Sequence, residues 1–302
     1  MTLLLSLVGE QPIPNLLPLW QYPQYDRVCF AVSEKTLPVA EQMEKVVQLD
    51  PALRHVHLLP PLQLPAYNWQ EAQESIFNFL AGKMEQGETV EINLTGGTKL
   101  MSLAAMRAAD VLSISVLYVS TQTGEMIRIA PGTQAETRLP IAVHISVAQY
   151  LAAHGFQSSL HPNFREDIAP YSPPKIGDAL EERVAALASC SGYFDDVQRS
   201  LYICKKDERS EVRNELDVLV TRNGRLVVCS CKSGRNIANA VIYELAALSS
   251  RELAGIYCGK VLVVDQPELP RAIRERARLD KVRLVYGSKI DQIADVLLEA
   301  VQ

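Results

Sequence analysis

The sequence predicts two α/β domains in series, the first built on a doubly wound, mostly parallel sheet. Three observations carry this expectation. Apolar strand-like segments alternate with amphipathic helix-like ones from residue 2 to about residue 130, the pattern of right-handed crossovers onto a parallel sheet. A stretch with Pro162, Pro170, Pro173 and Pro174 then interrupts the pattern. Beyond it, an apolar hairpin at 214–234 holds an acid and a lysine within otherwise hydrophobic strands. The expected boundaries are 1–140 for the first domain, 141–174 for a connecting region and 175–302 for the second.

The elements follow in order. Residues 2–8 form a buried strand, and Gly9, Pro12 and Pro14 break it into a loop. Asn15 can cap a short helix at 16–20. A second strand spans 27–32, and Ser33 can cap a helix to about Leu49. A third strand at 56–59 precedes the proline-rich 60–65. Helix 69–85 places Ile76, Phe79, Leu80 and Met84 on one side and ends at Gly87. Strand 90–94, helix 100–111 and strand 113–120 follow, and Gly124 turns the chain into strand 126–130. A short helix at 147–153 lies in the connecting region. In the second domain, Asp178 can cap a helix to about Ser191, a strand covers 194–205, and helix 238–249 follows the hairpin. Strands 261–264 and 282–285 alternate with helices 269–279 and 290–300.

Composition narrows the class. The chain has 302 residues, 48% of them hydrophobic, and a net charge of −5, which argues against indiscriminate nucleic-acid binding. Residues 1–170 hold 10 Lys/Arg against 16 Asp/Glu, and residues 171–302 hold 20 against 19. The second domain is therefore the one suited to meet phosphate backbones. The arginine-rich run from Arg271 to Arg283 reads chiefly as a solvated helix face. Six cysteines form no C-x-x-C pair and read as buried thiols of a cytoplasmic protein. The apolar start lacks a basic n-region and a cleavage site, and no run reaches the length of a membrane span.

Two stretches carry chemistry. The first is Asn93-Leu94-Thr95-Gly96-Gly97-Thr98-Lys99. Its glycines let backbone amides approach an anion, and the next helix points its positive end at the same place. Thr95 and Thr98 add hydroxyls and Lys99 a charge. The GxxxxGK[ST] and GxGxxG spacings are absent. In an open parallel sheet, ligands lie beyond the carboxyl ends of strands. Gly9, Glu10, Gln11 and Pro12 after strand one, and Thr121 after strand five, belong at that end too.

The second stretch is the hairpin. Asn223-Gly224 is a strong turn signal because both residues tolerate positive φ. Asp217 sits inside the first strand, and Lys232 ends the second. A buried acid and amine are costly unless they pair or bind a metal. The hairpin can set them side by side, as a structural salt bridge or around a divalent ion and a phosphate.

An acid, a hairpin and an apolar strand ending in x-x-Lys resemble the core of PD-(D/E)xK nucleases, with Asp217 and Lys232 as the motif residues. Ser230 departs from the pattern, standing where that family usually has Glu or Asp. Either another acid substitutes, or metal binding is weak, or the site is inactive. The segments Val8–Asn15 and Asn93–Lys99 resemble CARF domains, Rossmann-like sensors of cyclic oligoadenylates in type III CRISPR defence. Together the halves resemble the CARF nucleases of the Card/Can type, an N-terminal Rossmann-like sheet joined to a restriction-endonuclease-like α/β domain. The resemblance implies a homodimer with one pocket on its two-fold axis, cyclic tetra-adenylate as activator, and a DNA or RNA substrate. It implies Mg²⁺ or Mn²⁺ held by Asp217, Glu181 of the first helix and the carbonyl of Cys231, with Lys232 acting on water or developing charge. Glu215, two residues before Asp217, shares its strand face and could replace the carboxylate missing at Ser230; Glu244 is a further candidate. Two alternatives stay open: a sensor without nuclease activity, and a CARF pocket that itself cleaves the cyclic ligand.

Overall fold

The computed structural model describes residues 1–132, 135–161, 164, 178–205, 213–234, 237–249 and 254–301. They form two compact units, Met1–Val143 and His144–Gln302.

The first unit is organised on β1 (Thr2–Leu7), a strand buried along almost its whole length. A strand with apolar side chains on both faces must be covered on both, which is the demand of a parallel α/β sheet. β1 pairs in parallel with β2 (Arg27–Val32) on one side and with β5 (Thr89–Asn93) on the other. The order is β3 (His57–Leu58), β2, β1, β5, β6 (Ser115–Ser120), β7 (Glu125–Ile129), β8 (Glu136–Pro140), with β4 (Leu62–Gln63) also on β2. β7 and β8 close the edge antiparallel. Leu3, Leu5 and Leu7 of β1 meet Ala72, Ile76 and Leu80 of α3 (Trp69–Glu85) and Met101, Ala104, Ala105 and Ala108 of α4 (Lys99–Leu112). The chain builds outward from β1 through β2, then returns to β5. The carboxyl ends of β1 and β5 therefore flank the switch point, where an open sheet leaves a crevice.

The second unit is a six-stranded sheet in the order β14 (Arg283–Tyr286), β13 (Gly259–Val264), β12 (Arg225–Lys232), β11 (Arg213–Arg222), β10 (Asp196–Lys205), β9 (Phe156–Ser159). β9 to β12 are antiparallel, and β12 to β14 are parallel. Asn223 and Gly224 have φ of 48° and 76°, as a type I′ hairpin turn requires. Val218, Val220, Val227, Cys229 and Cys231 point to one face. There they pack with Leu180, Val184 and Ala188 of α6 (Asp178–Ser191) and with Ile293, Leu297 and Val301 of the last helix. The alternate positions of β11 and β12, which include Asp217 and Ser230, lie on the opposite face.

Several expectations need correction. Asn15 does not cap a helix: α1 spans Ile13–Gln21 with a proline in its first turn, where a missing N–H costs nothing. Ser33 likewise gives way to Thr36, from which α2 (Leu37–Leu49) begins. The connecting region belongs largely to the second unit. Its helix α5 (Val147–Ala153) is held by a capping box of Ser146 and Gln149, the Ile145 carbonyl accepts from Thr221 Oγ1 at 2.7 Å, and the Val147 amide donates to Asp196 at 2.8 Å. Asp178 as a helix cap and all four prolines of the connecting stretch lie outside the described side chains. Among the described residues no helix is long and apolar enough to cross a membrane.

Candidate functional site

In the first unit, the loop after β5 is built around Asn93, which has no exposed surface. Its amide nitrogen donates to Ser6 Oγ and to the Pro14 carbonyl, both at 3.0 Å. Its oxygen accepts from the Thr95 amide at 3.1 Å and from Thr95 Oγ1 at 2.5 Å. Ser6 Oγ in turn donates to Asn15 Oδ1 at 2.9 Å. All four hydrogen-bonding positions of the carboxamide are used, and they tie the loop after β1 to the loop after β5. Two glycines complete the join. A Cβ on Gly96 would sit 2.1 Å from the Leu7 carbonyl oxygen and 2.5 Å from the Gly9 nitrogen, and Gly97 has φ of +76°. Gly9 to Pro12 and Thr95 to Lys99 therefore lie side by side, with no side chain between them at position 96.

The two threonines have a different role from the one expected. Thr95 Oγ1 donates to Asn93 and accepts from the Val119 amide at 2.7 Å. Thr98 Oγ1 donates to the Ala66 carbonyl at 2.7 Å and caps α4 by accepting from the Met101 amide at 3.2 Å. Both hydroxyl protons point into the protein, so what the loop offers an anion is its backbone amides and the α4 N-terminus. Lys99 is exposed at the first position of that helix. Glu10 is exposed and pairs with Lys35 at 2.7 Å. Thr121 is buried just beyond β6, at the same end of the sheet.

In the second unit, Asp217 lies where two ladders part. β11 pairs with β12 as far as Val218↔Cys229. With β10 it pairs at Arg199↔Val218 and at Leu201↔Leu216, with a gap between. Three donors converge on Asp217 Oδ2: the Cys231 amide at 2.7 Å, Ser230 Oγ at 3.0 Å and Lys232 Nζ at 3.3 Å. Among the described residues these are its bonds, so Oδ1 is the oxygen left for a ligand. The side chains of Asp217 and Lys232 are 15% and 32% exposed, which leaves the pair open at one side. A strand residue projects N–H and C=O to the same edge, so the Cys231 carbonyl faces Asp217 too. The Cys231 thiol is pushed up by its hydrogen bond to Cys229, by burial and by the negative charge of Asp217 and Glu181. Cys231 therefore contributes backbone, not thiolate.

Glu181, half-buried on α6, accepts from Ser200 Oγ at 3.1 Å. Glu215 lies one pleat from Asp217 and faces Tyr202 in the ladder. Glu244 is exposed on α7 (Asn239–Leu248). Several arginines of the basic run are paired: Arg271 with Glu275 at 2.6 Å, Arg276 with Asp280 at 2.7 Å and Arg283 with Glu299 at 2.7 Å. Among the described residues no group of three or more His, Cys, Asp or Glu side chains gathers as a metal cage. Two carboxylates and a carbonyl still suit a hard cation such as Mg²⁺, which keeps waters and needs only one or two protein carboxylates beside substrate phosphates. The joining roles of Asn93, Ser6 and Asn15, and the part played by Ser200, go beyond what the sequence reading assigned. Buried polar letters inside apolar strands are the signal for the first two.

A Rossmann-like sheet with a glycine loop at its switch point is followed by a sheet with a hairpin Asp-Lys centre. Residues 3–150 match the family described as the Card1 CARF domain, and residues 175–302 match the Card1-like endonuclease domain. The chain belongs to this family of CARF nucleases. Can2 from Sulfobacillus thermosulfidooxidans, in complex with cyclic tetra-adenylate, superposes over all of both chains at 17% identity and a TM-score of 0.78. Protein VC1899 from Vibrio cholerae matches at 16% identity and a TM-score of 0.81, covering 99% of this chain and 97% of that one. A type III CRISPR defence DNA nuclease activated by cyclic oligoadenylate matches 89% of this chain and 46% of its own at 15% identity and a TM-score of 0.59. No curated protein sequence matches.

Proposed function

We propose that this protein is a cyclic-oligoadenylate-activated, divalent-metal-dependent nuclease of type III CRISPR defence that hydrolyses phosphodiester bonds of DNA or RNA. The observation that carries the proposal is the convergence of Ser230, Cys231 and Lys232 on one oxygen of Asp217. A bare salt bridge on an opened ladder adds little stability, whereas a fixed carboxylate with its second oxygen available suits a cation. Asp217, Glu181 and the Cys231 carbonyl would hold Mg²⁺ or Mn²⁺. A cation bound there supplies Lewis-acid charge at the phosphate. Lys232, already poised beside Asp217, neutralises negative charge developing on the phosphoryl oxygens or orients the attacking water. Ser230 takes a supporting part: it holds Asp217 through a hydroxyl donor and is not itself an acid. Glu215 is the reserve carboxylate on the same face.

The activator is a cyclic oligoadenylate, cyclic tetra-adenylate first, bound at the paired loops containing Gly9, Glu10, Gln11, Pro12, Thr95, Gly96, Gly97, Thr98, Lys99 and Thr121. A homodimer brings two such loop pairs to one symmetric ligand. Taking the population from nearly all inactive to nearly all active needs a differential affinity of about 5.5 kcal/mol. Phosphate contacts at helix N-termini contribute about 0.3–1 kcal/mol each, and up to about 2 when partly buried, so several contacts across two subunits suffice. Cleavage of the ligand by the loops themselves is the weaker reading, since both threonine hydroxyls are turned inward.

The test is cleavage of labelled single-stranded DNA, single-stranded RNA and supercoiled plasmid with cyclic tetra-adenylate, in EDTA and after Mg²⁺ or Mn²⁺ is restored. Restored cleavage supports the proposal. Tight ligand binding without cleavage of any substrate leaves a sensor instead, and ligand-turnover chromatography separates the ring-cleaving alternative.

A further inference from the structure

We infer that Ser200 is a positioning residue for Glu181, resting on the reading of Asp217 and Glu181 as the cation-binding carboxylates. Ser200 lies in the middle of β10, yet its φ is 49°. Serine seldom takes left-handed backbone, and least often inside a strand. The register on either side, Arg199↔Val218 and Leu201↔Leu216, leaves Ser200 opposite Asp217, and that one pair is absent from the ladder. The distortion is thus confined to the residue facing the candidate catalytic acid. Its result is a hydrogen bond: Ser200 Oγ donates to Glu181 Oε2 at 3.1 Å. On the other side of Asp217, Ser230 makes the matching contact, donating to Asp217 Oδ2 at 3.0 Å. Two serines thus flank one strand residue, and each holds one of the two carboxylates. Backbone strain confined to such a place is consistent with a geometry kept for the site and not for the fold.

The role has a chemical logic. A helix-borne glutamate has three rotatable side-chain bonds, and an unheld one would lose rotamer freedom on binding a cation. A hydroxyl donating to Oε2 restricts the carboxylate before any cation arrives. Outer partners of this kind set metal affinity without touching the metal.

The test uses the full-length chain and Mn²⁺ alone as probe, with affinity read by electron paramagnetic resonance. Ser200→Gly separates strain from chemistry, because glycine accepts the backbone but has no hydroxyl. The expected result is an unfolding temperature equal to or above wild type and Mn²⁺ affinity weakened about 10-fold or more. Glu181→Ala should weaken affinity too, and adding Ser200→Gly to it should cause no further loss. In a cleavage assay of Ser200→Gly, the Mn²⁺ concentration for half-maximal rate should rise. Wild-type Mn²⁺ affinity in Ser200→Gly, with weakened binding in Glu181→Ala, would overturn the role of Ser200 and leave the cation site standing. Unchanged affinity in both Glu181→Ala and Asp217→Ala would overturn the cation site and the inference with it.

Discussion

Gly96→Ala is the sharpest perturbation of the ligand loops, because the structure states where the added methyl would go. The new Cβ would lie 2.1 Å from the Leu7 carbonyl oxygen, 2.5 Å from the Gly9 nitrogen and 3.0 Å from the Leu7 carbonyl carbon. All three are backbone atoms at or just beyond the end of β1, an interior strand of its sheet, so none can swing aside like a side chain. The loop after β5 must retreat by about 1.4 Å before ordinary contacts at roughly 3.5 Å return. Asn93 resists that retreat, since its bonds to Ser6, Pro14 and Thr95 hold both loops. Overpacking of this kind costs about 1–3 kcal/mol, which lowers the unfolding temperature of the first unit by about 3–10 °C. Gly9→Ala is the control, because its Cβ would meet Gly96 Cα and the Gly97 nitrogen at 3.4 Å, a distance close to ordinary contact. Calorimetric titration with cyclic tetra-adenylate and thermal unfolding should both separate the variants, with binding lost or weakened at least tenfold in Gly96→Ala. Wild-type affinity and stability in Gly96→Ala would refute the claim that the apposed loops form the ligand site.

Other variants test the rest of the account. Asn93→Asp removes two donors and turns an anion toward the Pro14 carbonyl, costing about 3 kcal/mol by leaving buried partners unmatched; denaturant unfolding reads it. Glu91 is buried and accepts from Tyr25 and from Arg128, whose Nε lies 2.5 Å from Oε1. Arg128→Met should therefore cost about 3 kcal/mol by stranding that charge, and pairing it with Glu91→Leu should recover most of the loss. His154 stacks on Tyr150, its buried Nε2 has no hydrogen-bond partner among the described residues, and burial lowers its pKa to about 4. Its folded state then binds fewer protons than the unfolded chain, whose imidazole titrates near 6.5. This contribution to stability is complete above pH 6.5 and is lost as pH falls toward 4, by up to about 3 kcal/mol. His154→Phe should flatten the difference in unfolding midpoint across that window, and an unchanged slope would contradict the assignment.

Local signals were readable, and long-range ones were not. The alternation of strands and helices and the Asn223-Gly224 turn are set within a few residues, and the Asp217-Lys232 pair lies within one hairpin, where backbone preference and pleat period act directly. The capping box of Ser146 and Gln149 is equally local, although only the helix it starts is expected from the sequence. By contrast, β9 has four residues and no alternating pattern, and only its pairing with β10 makes it a strand. That pairing moves the connecting region into the second unit. Asn15 is a reasonable cap by residue type, yet burial beside Ser6 gives it a partner 9 residues back. The residue types of Thr95 and Thr98 show only what their hydroxyls could offer a ligand; their direction depends on Ala66 and Val119, which no spacing reveals. The left-handed backbone at Ser200 has no sequence mark at all.

The most direct test of the central claim joins both sites in one experiment. Labelled single-stranded DNA, single-stranded RNA and supercoiled plasmid are incubated with Mn²⁺, with and without cyclic tetra-adenylate, using wild type, Asp217→Ala and Gly96→Ala. The account predicts cleavage only by wild type and only with the ligand, with Asp217→Ala still binding cyclic tetra-adenylate and Gly96→Ala failing to bind it. Cleavage that persists in Asp217→Ala, or that ignores the ligand in wild type, would contradict it.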